Sequence, residues 1–131
     1  MINILLDTSA FIWTISNPDR LSKKAKEVYL DEDNACFLSV VSTWEMIVKF
    51  NFGKLPLPEQ PEKIITSQVA QHSIQIISLE MNDILQLSKL HNIKSHKDPF
   101  DRMLACQSLA RKMPILTPDP WIKAYEVKTI W

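Results

Sequence analysis

Ile2-Asn3-Ile4-Leu5-Leu6-Asp7-Thr8-Ser9-Ala10 is the stretch that decides the fold. Ile2–Leu6 is short, apolar and β-branched at two positions, which predicts a buried strand. An acid follows at once. Ser9 can then cap a helix over Ala10–Ile15, which Asn17-Pro18 stops. The same alternation continues down the chain. Ser22 caps a helix through about Leu30, Ala35–Leu38 reads as a strand, and Val41–Asn51 reads as a helix with Gly53 in the C-terminal cap. Leu55–Pro61 holds three prolines and is irregular. A helix over Glu62–His72, a strand at Ile74–Ser78 and a helix over Glu80–Leu90 follow. After the polar loop His91–Lys97, Asp98-Pro99 opens a helix through about Lys112. Ile115–Thr117 is a short strand, Asp119-Pro120 opens a helix to about Tyr125, and Val127–Trp131 ends the chain as a strand. Strands alternating with helices predict an α/β fold: a mainly parallel sheet of four or five strands flanked by helices. With 131 residues, no repeat and no linker, residues 1–131 read as a single domain.

Composition narrows the function. Gly53 is the single glycine, so neither a P-loop nor a dinucleotide fingerprint exists, because both need several glycines where backbone approaches phosphate. Fifteen basic residues balance fifteen acidic ones, which argues against bulk electrostatic coating of nucleic acid but leaves room for a local patch. Cys36 and Cys106 are isolated and read as reduced core residues. No Cys/His spacing suits zinc. The N-terminus lacks the basic start and longer apolar stretch of a signal peptide. No apolar run approaches the ~20 residues of a membrane span. The expectation is a cytoplasmic protein with no membrane partner.

Five acids stand where a parallel sheet places ligands, beyond the carboxyl ends of its strands. Asp7 follows the first strand and Asp119 follows Ile115–Thr117. Glu45 lies one to two turns into the helix after the second strand. Asp98 and Asp101 begin a helix, three residues apart and so on one side of it. Carboxylates gathered this way need a compensating cation, and oxygen ligands suit Mg²⁺ or Mn²⁺. Such an ion can activate water and neutralise charge on a phosphoryl group, which is the chemistry of phosphodiester hydrolysis. Structural roles compete at each position. Asp98 and Asp119 precede proline, as helix caps do. Ser42-Thr43-Trp44-Glu45 matches a capping box. Asp101 can be a first-turn acid favoured by the helix dipole. Asp7 has the fewest structural reasons to be there.

These residues resemble the PIN-domain nucleases, most closely the VapC-like toxins of type II toxin–antitoxin pairs, over nearly the whole chain. The resemblance rests on Leu5-Leu6-Asp7-Thr8-Ser9-Ala10, on Ser42–Lys49 followed by Gly53-Lys54-Leu55, on His96-Lys97-Asp98-Pro99-Phe100-Asp101-Arg102-Met103-Leu104-Ala105, and on Thr117-Pro118-Asp119. Separately these strings are weak, but in this order and spacing they are strong, and the third is the most specific. The resemblance implies a Mg²⁺- or Mn²⁺-dependent endoribonuclease that leaves a 5′-phosphate and a 3′-hydroxyl. It further implies a homodimer inhibited by a small antitoxin. Carried over, Asp7, Glu45, Asp101 and Asp119 form an acidic quartet with Asp98 as an additional ligand or helper. Direct metal contacts are expected from Asp7, Asp101 and Asp119, and Glu45 acts through water. Thr8 and Thr117 are candidates to hold water or the scissile phosphate, or else they cap backbone. Lys49, Lys54, Lys94, Lys97 and Arg102 are candidates for RNA backbone contacts, with Arg102 alternatively pairing with an acid. His96 is expected either to orient Asp98, to contact RNA or to be a plain loop residue. Trp13, Trp44, Trp121 and Trp131 are expected to pack in the core, with base stacking as the alternative. Two rival readings stay open: a PIN-type nuclease acting on other RNA or DNA without an antitoxin, and a catalytically silent binding module of the same fold.

Overall fold

A computed structural model describes residues 1–131. Five strands form one sheet, β1 (Asn3–Leu6), β2 (Ala35–Ser39), β3 (Gln75–Ile77), β4 (Ile115–Leu116) and β5 (Thr129–Ile130). Their spatial order is β3-β2-β1-β4-β5, and every pairing is parallel. Seven α-helices flank the sheet: α1 (Thr8–Ser16), α2 (Lys23–Leu30), α3 (Val40–Asn51), α4 (Pro61–Gln71), α5 (Met81–Gln86), α6 (Pro99–Arg111) and α7 (Pro120–Lys123). No helix is long and apolar enough to cross a membrane.

The central strand explains its own apolar run. Ile4, Leu5 and Leu6 are all fully buried, because helices cover both faces of a parallel sheet. Leu5 and its neighbour Ile115 join one core with Leu104, Ala105 and Cys106 of α6 and Ile122 of α7. Ile4, Leu6 and Leu116 point the other way, onto Phe11 of α1, Ala25 of α2 and Ile64 of α4. α3 contributes Val41 to the first core and Met46 to the second. Cys36 and Cys106 are free and buried, and burial pushes each thiol up to about 11.

The elements start and stop for local reasons, some of which differ from the sequence expectation. Ser22 caps α2 as expected, accepting from the Ala25 amide. α1 begins at Thr8, not after a Ser9 cap, so the helix follows Asp7 directly. α3 begins at Val40, where the Ser39 hydroxyl accepts from the Val41 amide at 3.0 Å. This places Glu45 inside the helix and overturns the capping-box reading of Ser42–Glu45. α5 stops at Gln86, because the amides of Leu87, Ser88 and Lys89 each turn back to the carbonyl three residues earlier. A buried strut joins α5 to α6: the Arg111 guanidinium donates to Asp83 at 2.9 Å, and Gln107 adds a longer bond at 3.4 Å. Burial alone would raise the Asp83 carboxyl, but these donors and the Glu80 amide hold it below the usual carboxylate range.

Candidate active site

The order β3-β2-β1-β4-β5 reverses direction at β1. Chain leaves β1 toward α1 and leaves β4 toward α7, so a crevice opens beyond their carboxyl ends. A cavity of about 350 Å³ lies there, lined by Asp7, Thr8, Glu45, Lys49, Asp101 and Asp119 among others.

Asp7 ends β1 and its amide extends the ladder to the Leu116 carbonyl. Its side chain does not cap α1. It accepts a 2.6 Å hydrogen bond from the Thr117 hydroxyl instead. That same hydroxyl accepts from the Asp119 amide at 3.0 Å, so Thr117 ties the acid after β1 to the acid after β4. Burial pushes the Asp7 carboxyl up to about 6; the Thr117 bond opposes this, while Asp119 and Glu45 add to it. Thr8 donates to Ser42 at 2.8 Å and thereby pins α1 to α3.

Glu45 faces the cavity from the second turn of α3 and is buried. One of its oxygens pairs with Lys49 a turn later. The other, Oε1, is buried without any hydrogen-bond partner. A buried carboxylate oxygen with no donor is costly unless something outside the chain satisfies it.

Asp98 and Asp119 both serve as caps. Asp98 accepts from the amides of Phe100 and Asp101, and Asp119 accepts from that of Trp121. Asp119 lines the cavity and Asp98 does not. Asp101 is shared by both candidate ligand groups. Its carboxylate, with those of Glu45 and Asp98, offers ligand atoms within 4.8 Å of one another, and it forms a second such group with His96 and Asp119. Asp7 belongs to neither group of three. Burial pushes Asp101 up to about 7, helped by the charges of Asp98 and Asp7 and opposed by His96.

His96 is buried. Its Nε2 lies 3.2 Å from Asp101 and its Nδ1 lies 2.7 Å from the Tyr125 hydroxyl. The proton arrangement that serves an ionised Asp101 has Tyr125 donating to Nδ1 and Nε2–H donating to the carboxylate. His96 therefore orients Asp101, and the expectation that it orients Asp98 is corrected. Arg102 pairs with no acid; it donates to Asn92 at 3.1 Å. The expectation of four core tryptophans also needs correction. Trp44 and Trp121 are 57% and 41% exposed. Trp44 sits edge-on to Phe100, and Trp121 stacks on His96 with the rings 8° from parallel. Tyr125 escaped the sequence reading, since nothing local marks a residue that works across the fold on His96.

The donor set is oxygen, with one imidazole at its edge. Like charges packed this closely, two carboxyls raised toward neutrality, and one orphaned oxygen fit a hard divalent cation.

The model of the PIN domain family matches residues 4–128. The chain belongs to the PIN domain family. Its sheet and helices are those of a PIN fold, and solved structures agree along nearly its full length. VapBC2 from Rickettsia felis, bound to a DNA fragment from its promoter, has a chain that superposes with a TM-score of 0.72 at 13% identity, covering 98% of each chain. VapBC-1 from nontypeable Haemophilus influenzae gives 0.70 at 17% identity, over 98% of this PIN domain and 97% of that chain. VapBC-5 from Mycobacterium tuberculosis, a member of the VapBC family of toxin-antitoxin systems, gives 0.65 at 16%, over 99% and 98%. No curated protein sequence matches this PIN domain significantly.

Proposed function

We propose that this PIN domain, residues 1–131, is a Mg²⁺- or Mn²⁺-dependent endoribonuclease and the toxin of a toxin–antitoxin pair. Family membership supports a hydrolase acting on nucleic acid. The observation that carries the metal-dependent reading is the orphaned Oε1 of Glu45 in a cavity that Asp7, Asp101 and Asp119 also line. Asp101 and Asp119 would hold the ion with Asp7, and Glu45 would complete its surroundings. When bound, the ion supplies Lewis acidity toward a phosphodiester and makes water more acidic.

The chain's own residues do the rest. His96 and Tyr125 hold Asp101 in one orientation. Thr117 holds Asp7 and fixes the turn that presents Asp119. Lys49 offsets the charge of Glu45 and stands at the cavity rim, where it can meet a phosphate. The likeness to VapBC-5 supports an antitoxin partner, and the resemblance noted above supports a homodimer and a cytoplasmic setting.

The test is cleavage of single-stranded RNA with Mn²⁺ by the wild type, Asp7→Asn and Asp101→Asn. Each variant should lose at least about 100-fold in rate, the scale of losing several kcal/mol of transition-state stabilisation, and EDTA should abolish wild-type cleavage. Equal cleavage by all three proteins would overturn the assignment.

A further inference from the structure

His96, which holds Asp101, lines a second concavity of about 320 Å³ with Asn92, Ile93, Lys94, Lys97 and Arg102. No carboxylate lines it. Lys94, Lys97 and Arg102 take part in no ion pair. Neutral groups hold the Arg102 guanidinium in place: Asn92 Oδ1 at 3.1 Å, the Tyr125 hydroxyl at 3.4 Å and the His91 carbonyl at 3.5 Å. It also lies over the Tyr125 ring, 5.6 Å from the centroid. An arginine fixed by neutral acceptors keeps its whole charge for an incoming anion, and its planar fork suits phosphate. Three uncompensated cations thus gather in a chain whose net charge is zero, one residue away from the acidic cavity.

We propose that this pocket binds a backbone phosphate of the nucleic acid, flanking the phosphodiester presented to the acids. The proposal rests on the nuclease reading and adds to it where the substrate strand runs. The acidic cavity repels a polyanion, so a neighbouring cationic seat supplies attraction and sets the register of the strand. The pocket is small and has one apolar side chain, Ile93. That suits a phosphate better than a protein segment, which would need an apolar anchor.

Two arms test it. In the first, metal-free protein in EDTA is titrated with inorganic phosphate while amide NMR signals are followed. Shifts should centre on Asn92–Arg102 and weaken at least about fivefold in a Lys94→Gln/Lys97→Gln protein, a loss of two phosphate-directed charges. In the second, RNA cleavage with Mn²⁺ is compared between that variant and a Lys23→Gln/Lys24→Gln protein, which removes equal charge from the exposed side of α2. The pocket variant should show KM about tenfold higher with a much smaller change in kcat, the signature of lost uniform binding. Its slope of log KM against log salt should fall by about 1.4, at ~0.7 per contact for a single strand. Absent or scattered phosphate shifts overturn the proposal, as does a KM matching the α2 control. Displacement of phosphate by hexaglutamate with an unchanged KM would assign the pocket to an acidic protein segment and also overturn it. If the wild type cleaves no RNA, the nuclease reading falls by itself, and the phosphate arm alone decides the pocket.

Discussion

Asp101 is held by a residue five positions before it and, through that residue, by one far along the chain. His96 meets Asp101 with one ring nitrogen and Tyr125 with the other, while Trp121 stacks on the ring. A carboxylate whose orientation is fixed this way would bind an ion without first losing rotamer freedom. His96→Ala should therefore weaken Mn²⁺ binding about 10–100-fold, the range seen when a ligand's hydrogen-bond partner is removed. His96→Gln, which can still present an N–H toward Asp101, should recover part of that loss. Tyr125→Phe deletes one bond and should have a milder effect. Mn²⁺ affinity by titration calorimetry without RNA separates this role from substrate binding. Unchanged affinity in His96→Ala, with the fold intact by circular dichroism, would rule out the positioning role. Asp98 combines two settings: its Oδ1 accepts from the amides that start α6, and its carboxylate still groups with those of Glu45 and Asp101.

At the scale of elements, what could be read in the sequence was whatever is local. Asp98-Pro99 and Asp119-Pro120 mark helix starts because cap and proline act within one turn, and α6 and α7 begin there. The run Ile4-Leu5-Leu6 marks the central strand because both faces are covered. Choices between equivalent local signals were not legible. Ser39 and Ser42 can each cap a helix, and the sequence does not show which one the end of β2 selects. Strand order was not legible either, since it depends on which apolar strips meet. The convergence of the acids was readable only in outline, and the Tyr125–His96–Asp101 contact not at all. Gly53 was read correctly as a cap. Its φ is +69°, and the amides of Gly53 and Lys54 return to the carbonyls of Phe50 and Lys49 at 3.0 and 2.9 Å, closing α3 in a Schellman motif. A Cβ added there meets nothing within 4 Å, so Gly53→Ala should cost about 1 kcal/mol from backbone strain alone. Lys112 ends α6 at φ +54° with a side chain, and Lys112→Gly should stabilise by about 0.5 kcal/mol after the unfolded chain's entropy is counted. Urea melts of the two variants should move in opposite directions; a shared direction would mean that left-handed strain does not govern these helix ends.

For the whole molecule, a net charge of zero conceals a strong separation: the acids crowd one cavity and Lys94, Lys97 and Arg102 line its neighbour. That separation makes metal-free stability depend on pH. Asp7 is raised to about 6 and Asp101 to about 7, whereas both titrate near 3.8 in the unfolded chain. The folded state thus binds more protons than the unfolded state between these values, so ∂ΔG/∂pH of unfolding is negative there. The stabilising contribution is complete below 3.8 and is lost as pH rises through about 6 and 7. Asp83, held below its usual range, has the opposite sign, but its window lies in more acidic solution. In EDTA, urea midpoints should therefore fall from about pH 5 to about pH 7.5, by an amount worth on the order of a few kcal/mol. On the proposed function, Mn²⁺ would replace the lost protons as the compensating charge and compete with them for the same oxygens. It should raise the midpoint more at about pH 7.5 than at about pH 5, by mass action on the folded state. Asp101→Asn removes one of the two titrating groups and should flatten the metal-free dependence as it weakens the metal response. A metal-free midpoint that rises with pH across this range would mean the crowded carboxylates are compensated within the chain, leaving the cavity no electrostatic reason to take up a cation.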